Sequence, residues 1–342
     1  MKAAILVESN KPLVVADIAL PERLECGQVL VRISCSGICG AQIGEIAAVK
    51  GPDKFLPHLL GHEGGGVVEE IGPGVRHVKP GDHVVLHWRK GPGIDSSAPK
   101  YRWGDRVVNA GWVTTFQERA VVSENRVTPI PKDIDFDVAA LMGCAVTTAM
   151  GVLTNDAGLK PGESIAVCGV GGVGLNVVQG AALMAAWPII AIDKVEAKLE
   201  MAARFGATHT INSTTQSVLE EIRRIVGPEG ADVVVETTGL PRIIEEAYEA
   251  TSPRGRTILV GVPKGKEKIT IYSLPLHFEK VLTGSEGGGT QPSRDIPRYL
   301  GLYRRGRLQL KELITHRFPL DRINDALDLI RAGGAGRVIV DM

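Results

Sequence analysis

The chain has 342 residues with 39 basic and 39 acidic side chains, so its formal net charge is zero. This balance argues against nucleic-acid and anionic-membrane partners, and the length predicts two domains of ordinary size. Five cysteines, an odd number spread along the chain, argue against a disulfide framework and leave metal binding or catalysis open. Glu8 and Pro12 lie where a signal peptide would continue its apolar core, so we expect a first strand and a cytoplasmic protein.

Residues 1 to about 130 are typical of a β-rich, partly barrel-like domain. Short apolar segments alternate with glycine and proline turns, namely KAAILVE, LVVADIAL, QVLVRISCSGI, GGGVVEEIG, DHVVLHW and ERAVVS. From Asp137 the pattern changes to helical spacing in DVAALMGCAVTTAMGVLTNDAG. We place the domain boundary near residue 145.

Residues 164–193 carry no charge before Asp193. Roughly thirty uncharged residues would be long enough to span a membrane. However, glycines separate IAVC, which has strand character, from LNVVQGAALMAA, which has helix character. The stretch therefore predicts a strand, a glycine turn, a helix and a second strand, IIAID.

Gly169, Gly171 and Gly174 form a G-x-G-x-x-G pattern between that strand and helix, as the dinucleotide-binding fingerprint requires. Such glycines permit a tight turn, close approach of a pyrophosphate to the backbone and close packing of the helix. Asp193 ends the second strand about 20 residues later, where a carboxylate binds ribose hydroxyls and repels a 2′-phosphate. The pattern favours NAD over NADP; the alternative is a glycine turn in a parallel sheet without a ligand.

Strands and helices alternate beyond this unit, in PIIAID, KVEAKLEMAARFG, ATHTIN, ADVVVETTG, LPRIIEEAYEATSP and GRTILVGVP. That order indicates a doubly wound parallel sheet of Rossmann type, and the predicted fold class is α/β. After GSEGGGT the chain becomes helical and ends in a strand, RVIVDM.

Cys39, His62 and Cys144 each lie in a glycine-flanked stretch. Two cysteines and a histidine are a suitable set for a catalytic zinc, which keeps its fourth position open. No C-x-x-C spacing connects them. From the residues alone, a buried cysteine as a small hydrophobe and a histidine as a satisfied polar group remain alternatives.

The segment GHEGGGVVEEIGPGV, with Gly61, His62, Glu63, Gly66 and Gly72, resembles the signature of the zinc-containing alcohol dehydrogenases of the medium-chain dehydrogenase/reductase superfamily. SGICG, GCAVTT, GVGGVG and the C-terminal LDRINDALDLIRAGGAGRVIV are similar to further segments of that family, so the resemblance runs almost the full chain. It implies a GroES-like catalytic domain, 1–145 and 290–342, around a Rossmann NAD-binding domain, 146–289.

The resemblance also implies roles for individual residues. The zinc ligands would be Cys39, His62 and Cys144, with Glu63 beside the metal as a possible alternate ligand. The coenzyme residues would be Gly169, Gly171, Gly172, Val173, Gly174, Asp193, Lys198, Thr148 and Arg337, the last at the pyrophosphate. Trp88 and Ala41 would line the substrate pocket; core packing or surface exposure is the alternative for Val173, Thr148, Arg337 and Trp88. In that family zinc acts as a Lewis acid toward the alcohol while hydride passes to the nicotinamide.

This sequence departs from the family in two places. Ala41 replaces a Ser or Thr that begins a proton relay, Gly44 stands where some members carry the relay histidine, and Gln42 replaces an aspartate next to the metal site. We expect the proton to leave through water, a substrate hydroxyl, or an acid such as Glu63 or Glu45.

The second departure is the segment 89–111, which has no cysteine where many members bind a structural zinc with four. We therefore expect one zinc per chain. The segment carries five basic and several aromatic side chains, which either hold a phosphate, carboxylate or sugar or form solvated surface.

The predicted function is an NAD-dependent zinc alcohol dehydrogenase acting on a primary or secondary alcohol, polar in character, such as a polyol, sugar or hydroxy acid derivative. Two alternatives remain: a coenzyme-binding sensor or structural protein with little turnover, and a zinc-independent quinone or enone reductase of the same superfamily. The expected partner is a small-molecule substrate, with no nucleic acid and no membrane. The resemblance suggests a homodimer or homotetramer formed through the nucleotide domains.

Overall fold

The computed structural model describes all 342 residues, which form two compact units. Unit 1 comprises residues 1–145, 291–304 and 310–342, and unit 2 comprises residues 146–290 and 305–309. The predicted domain boundaries remain predictions, because compact packing alone does not show that a unit folds independently.

The chain contains eighteen strands. They are β1 (Lys2–Leu6), β2 (Val14–Asp17), β3 (Gln28–Gly37), β4 (His58–Leu59), β5 (Glu63–Ile71), β6 (His83–His87), β7 (Lys100–Trp103), β8 (Arg106–Asn109), β9 (Arg119–Ser123), β10 (Val127–Ile130), β11 (Ile165–Cys168), β12 (Ile189–Asp193), β13 (His209–Asn212), β14 (Ala231–Glu236), β15 (Thr251–Leu259), β16 (Val281–Gly284), β17 (Ile314–Pro319) and β18 (Arg337–Asp341).

Nine α-helices accompany the strands. They are α1 (Gly40–Ile46), α2 (Phe136–Met142), α3 (Ala145–Gly151), α4 (Gly172–Leu183), α5 (Glu196–Arg204), α6 (Val218–Val226), α7 (Pro241–Ala250), α8 (Pro292–Arg304) and α9 (Ile323–Arg331). A π-helical turn, Val152–Asp156, continues α3. Single 3-10 turns lie at Glu124–Arg126, Leu274–Phe278, Gly287–Gly289, Lys311–Leu313 and Leu320–Arg322.

Unit 1 is built on two mostly antiparallel sheets, in agreement with the predicted β-rich domain. The first has the order β2-β1-β4-β8-β7, and the second has the order β10-β6-β5-β3-β18-β17, with β9 also paired to β3. Alternate residues of β3, Val29, Val31 and Ile33, pack with Val68 and Val84 in one core cluster. The period of two in the sequence therefore corresponds to one buried face, and each such side chain stabilises the fold by about 1.5–3 kcal/mol.

Unit 2 contains a six-stranded parallel sheet with the order β13-β12-β11-β14-β15-β16. All four residues of β11 are buried, as expected for a parallel strand covered by helices on both faces. The strand order reverses at β11, which is the position where doubly wound sheets bind dinucleotides. This is the Rossmann arrangement that the sequence predicts.

The helical run that begins at Asp137 is interrupted between α2 and α3, at Gly143 and Cys144. A Cβ atom on Gly143 would lie 2.4 Å from the carbonyl oxygen of Leu86 in β6. Only glycine permits this approach, which brings the following residue, Cys144, next to the strands of unit 1.

No single helix in the protein is long and apolar enough to cross a membrane. The consecutive helical segments Phe136–Met142 and Ala145–Asp156 satisfy the length and composition requirements only when they are taken together.

Candidate functional site

The three predicted zinc ligands come together in unit 1. Cys39 is the N-cap of α1, His62 immediately precedes β5, and Cys144 lies between α2 and α3. Their ligand atoms all lie within 4.8 Å of one another, and the two Sγ atoms are 4.0 Å apart. The three residues come from segments far apart in the sequence, so the fold, and no local motif, brings them together.

The donor set fits a tetrahedral zinc ion. Zn–S bonds of about 2.3 Å imply a separation of about 3.8 Å between two thiolates, close to the observed distance. The Nε2 atom of His62 is buried and has no hydrogen-bond partner, which is costly unless it serves as a ligand. Two thiolates and one neutral imidazole match the protein ligands of a catalytic zinc site with an open fourth position.

The two thiols lie within hydrogen-bonding distance of each other. The hydrogen bond from Cys144 holds the pKa of Cys39 well below its ordinary value, and the same bond raises the pKa of Cys144. Burial lowers the pKa of His62, but the interaction with Cys39 and the nearby charges of Glu63 and Glu45 outweigh burial and raise it. The shifts in the pKa of the two thiols result from the close approach of the two sulfur atoms, which is the geometry that two thiolate ligands of one zinc ion require.

Gln42 lies between the helix cap and His62. Its Oε1 atom accepts the Cys39 backbone N–H at 2.9 Å, and its Nε2 atom contacts Nδ1 of His62. In this orientation the amide NH2 group, and not the oxygen, faces Nδ1 of His62. A metal at Nε2 requires the imidazole proton on Nδ1, where the proton needs an acceptor. Rotation of the amide by half a turn would place the oxygen there, and the hydrogen bond from the Cys39 N–H would then be lost.

Two of the flanking glycines are required by close contacts. Gly61 has φ +91°, and a Cβ atom there would lie 2.4 Å from Oγ1 of Thr115. Gly143 is equally constrained, whereas a Cβ atom on Gly40 would meet nothing within 4 Å. The glycines beside His62 and Cys144 thus allow both ligand segments to pack against neighbouring strands.

Glu63 and Arg337 form a buried ion pair beside the ligands. The Glu63 side chain is fully buried, and its Oε1 atom accepts a hydrogen bond from Nη2 of Arg337. Burial opposes the charge of Arg337, but Glu63 and Cys39 raise its pKa, so the guanidinium stays charged. Gly37 leaves room for the pair, since a Cβ atom there would lie 2.9 Å from the Glu63 carboxyl group. The predicted contact of Arg337 with the coenzyme pyrophosphate remains a prediction.

Ala41 is exposed on α1, and Trp88 is half-buried directly after β6. The residue before Trp88, His87, gives no signal in the sequence but makes two hydrogen bonds in the fold. Its Nδ1–H donates to the Arg89 carbonyl at 2.7 Å, and its Nε2 lies 2.9 Å from Oγ1 of Thr128. Burial lowers the pKa of His87 to about 4, so the ring is a neutral bridge at physiological pH.

The cysteine-free segment 89–111 forms a hairpin, β7 and β8, preceded by a loop that Glu124 anchors. The Glu124 carboxylate is 1% exposed and accepts the backbone N–H groups of Arg76, His77 and Ile94 at 2.6, 2.9 and 2.8 Å. Tyr101 belongs to the core, with its hydroxyl 2.7 Å from the Val121 N–H. Hydrogen bonds, and no cysteine ligands, therefore hold this segment.

The three fingerprint glycines of unit 2 have distinct surroundings. Gly169 has φ +87°, as a tight turn requires, and a Cβ atom on Gly174 would lie 2.1 Å from the Gly169 carbonyl oxygen. A Cβ atom on Gly171, the N-cap of α4, would meet nothing within 4 Å. Gly171 thus leaves the backbone open to a ligand, while Gly174 lets α4 pack against β11. Gly172 and Val173 begin α4.

Asp193 and Lys198 line a cavity of about 360 Å³ next to this turn. The two Asp193 oxygens accept the Val170 and Val195 N–H groups, each at 3.0 Å, so the carboxylate is fixed before any ligand binds. Thr148 lies on α3 and is buried. Its carbonyl oxygen would be 2.5 Å from a Cβ atom on Gly288.

Comparison with known proteins agrees with this geometry. The family model "Alcohol dehydrogenase GroES-like domain" matches residues 25–132, and the model "Zinc-binding dehydrogenase" matches residues 172–304. An S-(hydroxymethyl)glutathione dehydrogenase of Paracoccus denitrificans is 32% identical, over 99% of this chain and 99% of that protein.

Solved structures are similar over the whole chain. Benzyl alcohol dehydrogenase from Acinetobacter calcoaceticus has a TM-score of 0.90 and 27% identity, covering 100% of this chain and 99% of that one. A putative zinc-binding dehydrogenase from Sinorhizobium meliloti bound to NADP has a TM-score of 0.82 and 26% identity, with the same coverage. The chain belongs to the zinc-containing alcohol dehydrogenase family of the medium-chain dehydrogenase/reductase superfamily, and is an oxidoreductase with a GroES-like domain and a Rossmann-type sheet.

Proposed function

We propose that this protein is an NAD-dependent alcohol dehydrogenase with one catalytic zinc per chain, acting on a polar primary or secondary alcohol. The observation that carries the proposal is the convergence of Cys39, His62 and Cys144, with Nε2 of His62 unpartnered. Zinc bound there would supply Lewis acidity toward an alcohol oxygen. The cysteine-free segment 89–111 supports a single zinc.

Asp193 supports NAD over NADP. Its carboxylate accepts two backbone N–H groups and lines the cavity beside the glycine turn, where it would repel a 2′-phosphate. Lys194 and Lys198 line the same cavity and bring positive charge, and a structural relative binds NADP. We choose NAD over NADP because the two hydrogen bonds hold the Asp193 carboxylate in the cavity, where its charge would repel the 2′-phosphate of NADP.

The chain's own residues hold the reacting groups and dispose of the proton. Glu63 is tied to Arg337 in the core, whereas Glu45 is exposed at the surface of α1. Ala41 offers no hydroxyl. We therefore propose that the proton released by the alcohol leaves through water, a substrate hydroxyl or Glu45. Glu63 is no longer proposed as an acceptor of this proton.

NADH absorbance during a screen of polyols, sugars, cyclitols, hydroxy acids and aldehydes, with NAD or NADP supplied and zinc measured in parallel, tests this proposal. We expect zinc-dependent turnover with NAD. Turnover that survives metal removal would instead indicate a reductase, coenzyme binding without turnover would indicate a sensor, and faster turnover with NADP would contradict the role of Asp193.

We further propose a homodimer formed through unit 2. β16 is an edge strand, and several large apolar side chains around it are exposed, namely Val262, Tyr272, Leu274, Leu276, Phe278 and Val281. An unprotected edge with an apolar surround favours pairing with a second copy, which a two-fold axis makes self-complementary.

A further inference from the structure

Glu236, the last residue of β14, is a fully buried acid. It pairs with Cys168 in the parallel β11–β14 ladder, so it lies beside the end of β11, where the glycine turn begins. The sequence does not predict a role for this residue, and the candidate zinc site does not use it. A buried acid needs hydrogen-bond donors, because an unpaired carboxylate is costly to remove from water.

Both oxygens of the Glu236 side chain accept hydrogen bonds from the turn that follows β14, residues 237–240. Oε1 accepts the Thr238 N–H at 2.6 Å, and Oε2 accepts the Gly239 N–H at 3.0 Å. The Thr238 hydroxyl also donates to Oε1. Burial raises the pKa of Glu236, and the hydrogen bonds from Thr238 and Gly239 offset only part of this rise. One side chain therefore connects three donors of two consecutive residues.

The turn 237–240 forms part of the cavity beside the fingerprint glycines. Thr237, Thr238 and Leu240 line this cavity of about 360 Å³ together with Asp193. Glu236 is fully buried and does not line the cavity. All of these residues belong to unit 2. Glu236 therefore acts on the cavity through the turn, and not by contact with a ligand.

Thr237 connects this turn to the glycine turn. Its hydroxyl donates to the Gly169 carbonyl oxygen at 2.7 Å and lies 3.1 Å from that of Cys168. A Cβ atom on Gly169 would lie 2.6 Å from the Thr237 hydroxyl, so the two turns are in contact. A displacement of Thr237 would therefore also move the turn at which the fingerprint predicts the pyrophosphate of a dinucleotide.

The turn 237–240 packs tightly against the residues that follow β15. Gly239 has φ +71°, and a Cβ atom on Gly261 would lie 2.1 Å from the Gly239 nitrogen. The Glu236 carbonyl oxygen accepts the N–H groups of Val260 and Gly261 at 2.7 and 3.0 Å. Backbone contacts therefore fix the start of the turn, and the two glycines supply no side chain that could replace the Glu236 carboxylate.

We propose that Glu236 is a positioning residue for the coenzyme, which holds the turn 237–240 in the conformation that binds the adenosine half of NAD. The inference rests on the proposed use of NAD and adds a residue to that site. We assign the adenosine half because Asp193, in the same cavity, occupies the position that binds the adenosine ribose in the dinucleotide fingerprint. If only a fraction of the molecules hold the turn in this conformation, the apparent affinity falls by that fraction.

The first test measures the dissociation constants of NAD and AMP by isothermal titration calorimetry, in the zinc-loaded protein and in its Glu236→Gln variant. The variant keeps the size of the side chain but turns an NH2 group toward one of the three donors. Both dissociation constants should rise by the same factor, about 10- to 100-fold, because AMP contains the adenosine half alone. Unchanged dissociation constants in Glu236→Gln would overturn the proposal.

Steady-state kinetics separates positioning of the coenzyme from general damage to the protein. In Glu236→Gln the KM for NAD should rise by a similar factor, whereas kcat at saturating NAD should not fall, because the zinc ligands are unaltered. A fall in kcat with an unchanged KM for NAD would overturn the proposal.

Asp232→Asn is the matched control, because Asp232 lies near the opposite end of the same strand and also binds a turn. Its Oδ2 atom accepts the Ser164 N–H at 2.8 Å and the Ser164 hydroxyl at 2.7 Å. Asp232→Asn should leave the dissociation constants of NAD and AMP unchanged. An equal weakening in Asp232→Asn and Glu236→Gln would attribute the effect to lost stability and would contradict a positioning role.

Hydrogen exchange in the absence of coenzyme tests the turn itself. The amides of Thr238 and Gly239 should exchange faster in Glu236→Gln, and that of Ser164 should exchange faster in Asp232→Asn. Thr238→Val, which removes one bond to Glu236 and keeps the side-chain shape, is the second variant if Glu236→Gln does not fold. It should weaken NAD and AMP by about threefold to tenfold. Unchanged exchange at Gly239 in Glu236→Gln, or unchanged binding in Thr238→Val, would contradict the proposal.

Failure of this proposal can be distinguished from failure of the proposed dehydrogenase. NAD binding that Glu236→Gln weakens, without oxidation of any alcohol, would contradict the dehydrogenase and support the positioning role. Alcohol oxidation with the same KM for NAD in Glu236→Gln and in the unmodified protein would support the dehydrogenase and overturn the positioning role.

Discussion

Gln42 lies next to two N–H groups that need a hydrogen-bond acceptor, and its side chain has one acceptor atom, Oε1. The Cys39 N–H needs an acceptor to cap α1, and a metal-binding His62 needs an acceptor at its Nδ1–H. In the observed orientation the amide oxygen faces the Cys39 N–H and the NH2 group faces His62, so the oxygen accepts from only one of the two. A carboxylate at this position would have two oxygens, one for each N–H group, which the Gln42 amide lacks.

We expect Gln42→Glu to tighten zinc binding and Gln42→Leu to weaken it, the latter by about 10- to 100-fold. Glutamate can accept from Cys39 and His62 together and adds a negative charge, whereas leucine accepts from neither. Competition with a chelator of known zinc affinity measures the change. Equal zinc affinity in all three proteins would show that Gln42 does not orient His62.

His87 should make stability fall as the medium becomes acidic. Its pKa is about 4 in the folded protein, against 6.5 for the ordinary side chain, so the unfolded chain takes up the proton first as the pH falls. The stabilisation is complete above pH 6.5 and is lost toward pH 4, amounting to about 2 kcal/mol between pH 7 and pH 5. Denaturant unfolding at both pH values should show that His87→Gln loses about 2 kcal/mol less than the native chain. Equal losses would contradict this assignment.

Among single residues, the three metal ligands could be predicted from the sequence, but the residues that hold the surrounding side chains in place could not. Cys39, His62 and Cys144 were assigned by resemblance, because nothing in their spacing shows that they meet. His87 gave no signal, since a histidine that bridges a carbonyl and a hydroxyl looks like any other in a strand. The position of Arg126 beside Trp88 and Trp112 depends on tertiary packing alone.

Hydrogen bonds to buried side chains hold the loop before β7, which contains no cysteine. Glu124 accepts three backbone N–H groups from two separate loops, and Ser123 Oγ accepts from Ser96 and donates to the Ile94 carbonyl. A buried carboxylate with three donors keeps its charge: burial raises the pKa of Glu124, but the three N–H groups outweigh it and lower it.

Glu124→Gln should destabilise the protein by about 3 kcal/mol, because the amide loses the charge and turns a donor toward one of the N–H groups. The control is Glu25→Gln, an exposed carboxylate with a single bond to Ser97 in the same region, which should change stability by no more than about 0.5 kcal/mol. Unfolding in denaturant measures both. Similar small effects would show that Glu124 does not anchor the loop.

At the element scale, strong patterns were predictable and weak ones were not. The alternation of apolar and polar residues predicted β3, because one face of this strand is buried. The apolar segments around the glycine turn predicted β11, α4 and β12, because the parallel sheet is covered on both faces. The helix break at Gly143 was missed, since its cause is the Leu86 carbonyl, far away in sequence. Strands β7, β8, β16 and β17 were also not predicted, as they are short and partly exposed.

At the scale of the whole molecule, the proposed dimer predicts that Phe278→Asp dissociates the protein into single chains. Phe278 is 66% exposed near the edge strand β16, and a charge there would be buried without a partner in the dimer. Phe55→Asp is the control, because Phe55 is 68% exposed in unit 1. Light scattering coupled to gel filtration measures the mass. A dimer that persists in Phe278→Asp, or dissociates in Phe55→Asp, would contradict an interface at β16.

The organisation of the whole chain was the most predictable level, since both the β-rich pattern and the glycine turn are encoded in long contiguous stretches. The proposed function depends instead on three residues from separate segments. The most direct test of this account is therefore the zinc content per chain, measured by elemental analysis in the native protein and in Cys144→Ser. We predict one zinc in the native protein and close to none in the variant; two zinc ions in the native protein, or one retained in Cys144→Ser, would contradict a single catalytic zinc held by Cys39, His62 and Cys144.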